Sequence, residues 1–342
     1  MPARALLLIG LLLLGGCAVG ERPTLSEEGI ADGRPADAEG GLEAATAAAA
    51  LGAPIPDDEP ATSLPDPATL IDVPPALLSP TGVLVPALGR SDGGGYRVLS
   101  PCGNEVDLRW GQPVWEATVV LDPGHGGDEA GAIGPSGETE AEVNLDIAWR
   151  TASLLEQRGW PAVLTRTSDY RIPIANRAAI ADQFRASAFV SIHHNSPSPS
   201  LGTTPGTEVY VQNDSTDARR LGSLLHEEVV AALAPFDAEW AARADAGVLT
   251  VLNADGDDAF GINRYPTVPS ALAELAYLSN PTEAVLISTD EYREAMAGAL
   301  SSAIVRYLDT ADEGSGFVAE PRLFDPAGDT GGSEGCVDPA LS

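Results

Sequence analysis

The chain has 342 residues, a formal net charge of −31 at pH 7, and 19 basic side chains, all of them arginine. A chain of this length accommodates one large domain or two small ones. Because so acidic a chain repels phosphates, the composition argues against DNA, RNA or an anionic membrane surface as the main partner. The absence of lysine from the sequence also excludes a Walker-type phosphate lysine and a Ser-Lys dyad.

Residues 1–17 are typical of an export signal. One arginine precedes an apolar run at residues 5–14, which is too short to span a bilayer as a mature helix. Two glycines then lead to Cys17, a pattern similar to the lipobox of bacterial lipoproteins, in which the cysteine is acylated. We therefore predict a lipid anchor at Cys17 on the outer side of a membrane. The alternative is an ordinary secretory signal with an incidental cysteine.

Residues 18–88 are rich in Ala, Pro, Asp, Glu and Gly and have almost no aromatic side chains. Such a segment cannot bury enough apolar surface to offset the entropy lost on ordering, so we predict a disordered, extended tether. Within residues 89–116, two short β-type runs around Tyr96 and Val106 predict a small β-hairpin that leads into the next domain. Residues 309–342 are again rich in Gly, Asp and Pro and are predicted to be an irregular tail.

Two cysteines remain if Cys17 is lipidated, namely Cys102 and Cys336. In an exported chain a remaining pair of cysteines suggests a disulfide, which here would tie together the two ends of the intervening domain. The alternative is two unpaired thiols.

Strand and helix patterns alternate through residues 117–308. This alternation predicts an α/β fold with a twisted, mostly parallel central sheet and helices on both faces. In such sheets, ligand sites form beyond the carboxyl ends of the strands. Strands are predicted at residues 117–121, 162–165, 188–193, 207–212 and 271–275, and helices at residues 141–157, 174–185, 216–233 and 291–308.

Four of the candidate site residues have ordinary interpretations when each is taken alone. His125 lies in a glycine-rich turn after the first predicted strand, where a histidine is most often a hydrogen-bonded loop residue. Glu140 lies in a capping-box pattern, where an acidic side chain complements the helix dipole. His193 and His194 end another predicted strand. Because adjacent strand residues point to opposite faces, at most one of them is expected to face a site beside His125.

Glu274 is the least ordinary position in the chain. It interrupts an apolar run that is predicted to be a buried strand, where a carboxylate is costly unless it is paired, hydrogen-bonded or functional. Two histidines and a glutamate, with a second glutamate nearby, match a catalytic zinc site whose three protein ligands leave one position for water. Their separations match no local motif such as HExxH, so the ligands would have to converge through the fold.

Five blocks follow one another through the same domain: VVLDPGHGGDEAGAIG, GETEAEVNLDIA, LTRTSDY with a later Asn-Arg-Ala, FVSIHHNS and PSALAELAYLSNPTE. Together they resemble the zinc-dependent N-acetylmuramoyl-L-alanine amidases of the type-3 family, the bacterial cell-wall hydrolases related to the AmiC-like enzymes. The resemblance covers residues 117–308, which are most of the chain that is predicted to be ordered.

The resemblance implies a complete set of site residues. It places the zinc ligands on His125, Glu140 and His193 and the catalytic carboxylate on Glu274. Asp122 falls where a residue behind the ligands or one that shapes the loop is expected.

Two positions depart from the family pattern. His194 replaces a frequent alanine, and Ala141 replaces a frequent lysine; neither change removes a ligand. The first departure leaves two histidines as candidates for one ligand, of which His193 is favoured. His194 and the following Asn195 are then expected behind the ligands or on the substrate side.

The resemblance also implies a function. The reaction would be hydrolysis of the amide between N-acetylmuramic acid and the L-alanine of the peptidoglycan stem peptide, with one zinc ion as cofactor. Peptidoglycan would be the partner, nucleic acid would not, and a membrane would be reached only through Cys17. An extracytoplasmic location fits both the export signal and the substrate. The alternatives are a non-catalytic peptidoglycan-binding module on an amidase fold and a zinc hydrolase of another envelope amide.

Overall fold

A computed structural model describes residues 64–66, 72–196, 207–236, 247–324 and 332–342. The predicted signal sequence, Cys17 and most of the predicted tether lie outside these residues. Within them, no helix is both long and apolar enough to cross a membrane. In chain order the described elements are β1 (Ala76–Leu78), β2 (Leu84–Arg90), β3 (Tyr96–Leu99), β4 (Glu105–Leu108), β5 (Gln112–Val114), β6 (Val119–Pro123), α1 (Glu140–Gln157), β7 (Ala162–Leu164), α2 (Ile174–Phe184), β8 (Ala188–Asn195), β9 (Glu208–Val211), α3 (Thr216–Leu233), β10 (Gly247–Leu249), β11 (Val251–Leu252), α4 (Gly261–Arg264), β12 (Ser270–Tyr277), α5 (Pro281–Ile287), α6 (Asp290–Asp309) and β13 (Arg322–Leu323).

The first five strands form an antiparallel sheet in the order β4-β3-β2-β1-β5. The predicted hairpin is present as β3 and β4, but it is one part of this larger sheet. The prediction that the tether reaches residue 88 is wrong for its last part, since Leu77 and Val85 are fully buried. Each such side chain contributes about 1.5–3 kcal/mol on burial, which is what a segment needs to offset its ordering entropy. The apolar runs that form β1 and β2 are short and lie among prolines, so composition concealed them.

The central sheet has the strand order β10-β9-β12-β8-β6-β7. Strands β7, β6, β8 and β12 run parallel, while β9 runs antiparallel to β12 and β10 parallel to β9. The helices α1, α3 and α6 cover one face, and α2, α4 and part of the first sheet cover the other. The predicted α/β fold with a mostly parallel sheet is therefore confirmed. Its strands β6, β8 and β12 end at one edge, where the candidate site residues lie.

The C-terminal residues are irregular but not free. The short strand β13 pairs with β11, which corrects the prediction that the whole of residues 309–342 lacks regular structure. Cys102 and Cys336 form a disulfide, with Cα atoms 5.7 Å apart. Beside it, the Asp338 carboxylate accepts hydrogen bonds from the Ser100 hydroxyl and the Cys102 amide, each at 2.8 Å. Residues 332–342 are thus fastened to the first sheet by a covalent bond and by hydrogen bonds.

Candidate metal centre

The turn that follows β6 is conformationally unusual. His125, Gly126 and Gly127 have φ angles of 60°, 129° and 64°. A positive φ at a residue other than glycine costs about 1–3 kcal/mol and persists only where the surroundings hold it. The conformation of His125 therefore depends on contacts made to this turn by the rest of the molecule.

Two buried arginines hold the turn from the inside. Arg177 donates to the carbonyl oxygens of Pro123 and His125, each at 2.8 Å. Arg166 donates to the carbonyls of Pro123 and Gly124, each at 2.9 Å. Burial, followed by repulsion from Arg177, lowers the pKa of Arg166 to about 10, so the Arg166 side chain remains charged at neutral pH. Neither arginine was predicted to act at the site, although both lie in the blocks that carry the family resemblance.

Asp122 lies beneath this turn and is completely buried. Its carboxylate accepts hydrogen bonds from Arg177 at 2.8 Å, from Thr165 at 2.5 Å and from Ser191 at 2.7 Å. Burial alone would raise the Asp122 pKa, but the Arg177 charge and these hydrogen bonds outweigh it and hold the pKa below its usual range. Asp122 is thus an anion that anchors Arg177, and it acts on the turn from behind.

Glu140 is the first residue of α1, which begins with a capping box between Thr139 and Glu142. This start aims the Glu140 carboxylate at both candidate histidines. Its Oε1 lies 3.0 Å from Nδ1 of His193 and its Oε2 lies 3.2 Å from Nε2 of His125. Ligand atoms from these three residues all lie within 4.8 Å of one another. Burial would raise the Glu140 pKa, but hydrogen bonds from both histidines hold it well below its usual range.

The two adjacent histidines point to opposite faces of β8, as strand alternation predicts. His193 faces Glu140, whereas His194 is only 1% exposed and lies on the side of α1 and α6. The His194 ring is bonded to Asn144 Oδ1 at 2.8 Å and to the Tyr292 hydroxyl at 3.0 Å. Burial lowers its pKa to about 3, so it is neutral in ordinary conditions. The His194 side chain is therefore placed to support the site from behind.

Glu274 lies at the centre of a row of polar residues across the sheet. On β12 it is paired in register with His193 on one side and with Glu208 of β9 on the other. Its Oε2 is buried and has no hydrogen-bond partner in the described part of the chain. Burial, followed by repulsion from Glu140 and Glu208, raises the Glu274 pKa well above its usual range. Glu274 is thus a carboxyl group that is readily protonated, and it lies on the strand next to the one that carries His193.

Glu208 is a site residue that the sequence did not single out. Its carboxylate accepts hydrogen bonds from Tyr210 at 2.5 Å and from Asn195 at 3.1 Å, and it forms an ion pair with Arg322 at 2.9 Å. Asn195 is thereby fixed at the edge of the site, two residues after His193. A signal for Glu208 did exist, because it is an acidic residue within an apolar strand, as Glu274 is. Arg322 had none, since it lies in the segment predicted to be irregular.

Comparison with known proteins agrees with this geometry. The sequence model of the Amidase_3 family, described as N-acetylmuramoyl-L-alanine amidase, matches residues 119–306. The chain belongs to this family. As an amidase it is a hydrolase of amide bonds.

Individual relatives show how far the likeness extends. The amidase is 31% identical over 220 residues to the uncharacterized protein YqiI of Bacillus subtilis, which covers 63% of this chain and 98% of that protein. It is 32% identical over 240 residues to the N-acetylmuramoyl-L-alanine amidase AmiC of Neisseria meningitidis, covering 56% of this chain and 53% of the relative. The chain thus spans about half the length of AmiC. The solved structure of the amidase AmiC2 of Nostoc punctiforme is 33% identical with a TM-score of 0.47, covering 56% of this chain and 97% of that one.

Two glycines of the amidase make room for the cluster. A Cβ atom on Gly124 would lie 2.2 Å from the His193 ring. A Cβ atom on Gly131 would lie 2.5 Å from Glu140 Oε2 and 2.6 Å from Cδ2 of His125. Any side chain at these positions would occupy the space in which the three candidate ligands converge.

The substitution Gly131→Ala is therefore expected to weaken metal binding at this candidate centre by at least about tenfold, a typical effect of disturbing the surroundings of a metal site. Gly137→Ala is the matched control, because Gly137 also has a positive φ, of 91°, but its Cβ would meet nothing within 4 Å. Competition with a chromogenic chelator would measure both affinities. Equal losses in the two variants would mean that backbone strain, rather than crowding of Glu140 and His125, is responsible.

Proposed function

We propose that this amidase hydrolyses the amide between N-acetylmuramic acid and the L-alanine of the peptidoglycan stem peptide, with one zinc ion. The observation that carries the proposal is the convergence of His125, Glu140 and His193 within 4.8 Å, with Glu274 in register beside His193. Family membership supports the choice of amide and of substrate.

The three converging residues suit zinc in their chemistry. Two imidazole nitrogens and one carboxylate oxygen form a ligand set of catalytic zinc sites, which keep a further position for water or substrate. In the metal-free chain, hydrogen bonds from His125 and His193 hold the Glu140 pKa well below its usual range, and the ionised carboxylate would offset part of the charge of a bound cation. When bound, the ion supplies Lewis acidity toward a carbonyl group and lowers the pKa of water.

We assign the proton transfers to Glu274. Its carboxylate accepts a proton as water adds to the scissile carbonyl carbon, and returns that proton to the leaving nitrogen as the C–N bond breaks. The products are a free carboxylic acid on the muramic acid and a free amine on L-alanine, so one water molecule is consumed. In the metal-free chain the buried and acidic surroundings favour the protonated form of Glu274, which is the form that it takes between the two steps.

The proposed location of the protein rests on its predicted export signal. An export signal that ends at Cys17 would place the amidase outside the cytoplasmic membrane, lipid-anchored or, if Cys17 is not acylated, secreted. The disulfide of Cys102 and Cys336 supports an oxidising compartment. Release of a Cys17→Ser variant from membrane fractions would test the anchor, and retention of that variant would refute it.

Mass spectrometry of digested peptidoglycan tests the proposed reaction. We expect stem peptides that begin with a free L-alanine amine and glycan strands that have lost their peptides. A zinc chelator is expected to stop the release, and added zinc to restore it. Disaccharide-peptides would indicate glycosidic cleavage, and peptides cut internally would indicate a hydrolase of another envelope amide; either product would contradict the proposal.

A further inference from the structure

The turn that carries His125 is held from the outside as well as from the inside. Gly126 and Glu129 exchange backbone hydrogen bonds of 2.8 and 3.2 Å, which close the turn. The amide of Gly127 donates to Asp169 Oδ1 at 2.7 Å. A Cβ on Gly127 would lie only 2.7 Å from the amide nitrogen of Arg171, so the turn rests directly on the backbone at that residue.

The Arg171 side chain extends this outer support to acidic residues of the turn. Its Nη1 lies 3.2 Å from Asp128 Oδ2, and its Nη2 lies 3.0 Å from Glu129 Oε1. The Arg171 side chain is only 12% exposed and that of Glu129 is 26% exposed, so the pair with Glu129 is partly shielded from solvent, whereas Asp128 is 62% exposed. Planar guanidinium groups bind several acceptors at once in a fixed geometry. Arg171 therefore restrains the side of the turn that Arg166 and Arg177 do not reach.

The same guanidinium is bound by the C-terminal segment. Nη2 donates to the carbonyl of Gly332 at 2.7 Å, and Nη1 donates to the carbonyl of Glu334 at 3.2 Å. Two residues further on, Cys336 forms the disulfide with Cys102, and the Asp338 carboxylate accepts a hydrogen bond from the amide of Cys102. This segment lies outside the residues 119–306 that match the family, so the contact belongs to this chain rather than to the shared domain.

We propose that residues 332–338, fastened by the disulfide, act through Arg171 as a latch on the metal-binding turn. The disulfide holds the segment that carries the Gly332 and Glu334 carbonyls. These carbonyls hold the Arg171 guanidinium, which in turn holds Asp128 and Glu129. Zinc affinity then depends on the bond between Cys102 and Cys336, so the site becomes tight only after the chain reaches an oxidising compartment. Arg171 is a positioning residue in this scheme. The latch rests on the proposed metal site, because it acts on His125.

Zinc affinity of the full chain, measured by chelator competition, tests the latch. Arg171→Gln is expected to bind zinc about tenfold more weakly, the lower end of the losses that follow when the surroundings of a metal site are disturbed, and Arg171→Lys to restore part of the affinity. A Cys102→Ser/Cys336→Ser variant is expected to show a similar loss. Because both changes break one path, combining them with Arg171→Gln is expected to add little. Arg306→Gln is the control, since it also loses ion pairs to acidic side chains, at Glu227, Glu228 and Asp312.

Unchanged affinity in Arg171→Gln, or losses that add fully in the combined variant, would overturn the latch. Amide hydrogen exchange of the metal-free chain provides a second test that does not need zinc. Residues 124–131 are expected to exchange faster in Arg171→Gln, and also in wild-type chain whose disulfide has been reduced and alkylated. Unchanged exchange would overturn the latch. Failure of the wild-type chain to bind zinc would instead contradict the proposed function, and the exchange experiment would still decide on the latch.

Discussion

Replacing Glu274 with glutamine is expected to reduce hydrolysis of purified peptidoglycan by at least about 100-fold, the usual contribution of a general acid–base residue. Glutamine has the size of glutamate but cannot accept the proton from water or return it to the leaving amine. Zinc binding is expected to persist, because His125, Glu140 and His193 are unchanged. The measurement is release of stem peptides by mass spectrometry, together with the zinc content of the purified variant.

The stability of the Glu274→Gln variant provides the control. In the metal-free chain the folded-state pKa of Glu274 is raised by burial and by its acidic neighbours, so ionising it disfavours the folded state. The stability that its protonated form contributes is complete below the unfolded-state pKa and is lost as pH rises through the folded-state pKa. Glutamine does not titrate, so the variant is expected to be at least as stable as wild type above that range. Stem-peptide release at the wild-type rate would show that Glu274 is not the acid–base group.

The second prediction separates the adjacent histidines. His193→Ala is expected to abolish stoichiometric zinc binding and, with it, hydrolysis, because it removes one of the three converging ligands. His194→Ala is expected to keep zinc but to lower the free energy of unfolding by about 2–4 kcal/mol, since it removes the buried hydrogen bonds that His194 makes with Asn144 and Tyr292. Metal analysis and urea unfolding of both variants would measure the two effects. Zinc loss in His194→Ala alone would reverse the ligand assignment.

Sequence patterns predicted those features that depend on local periodicity. The helices α1, α2, α3 and α6 begin and end within one residue of their predicted bounds, since each has a long stretch with a regular apolar face. Alternation along β8 also predicted that at most one of His193 and His194 faces the site. Short elements such as β1, β10 and α4 were missed, because three or four residues carry too little periodicity to be distinguished from a loop.

Contacts between distant parts of the chain could not be predicted in this way. Arg322 pairs with Glu208 across 114 residues, and Arg171 binds the carbonyls of Gly332 and Glu334 across 161 and 163 residues. Nothing in the sequence around an arginine identifies a partner that only the folded chain brings near. The family resemblance assigned His125, Glu140, His193 and Glu274 because those positions share a pattern, but it offered no pattern for a C-terminal segment outside the family's limits.

The environment of His194 has a consequence for the direction of the hydrogen bonds behind Glu140. Asn144 donates through Nδ2 to Glu140 Oε1 at 3.3 Å, so its Oδ1 accepts a hydrogen bond from Nδ1 of His194. The remaining nitrogen of His194 then accepts from the Tyr292 hydroxyl, which fixes a single neutral tautomer. Burial lowers the pKa of this ring to about 3, so the neutral tautomer persists through the pH range in which most histidines change charge. The hydrogen bonds that run from Tyr292 through His194 and Asn144 to Glu140 therefore keep the same direction at mildly acidic and at neutral pH.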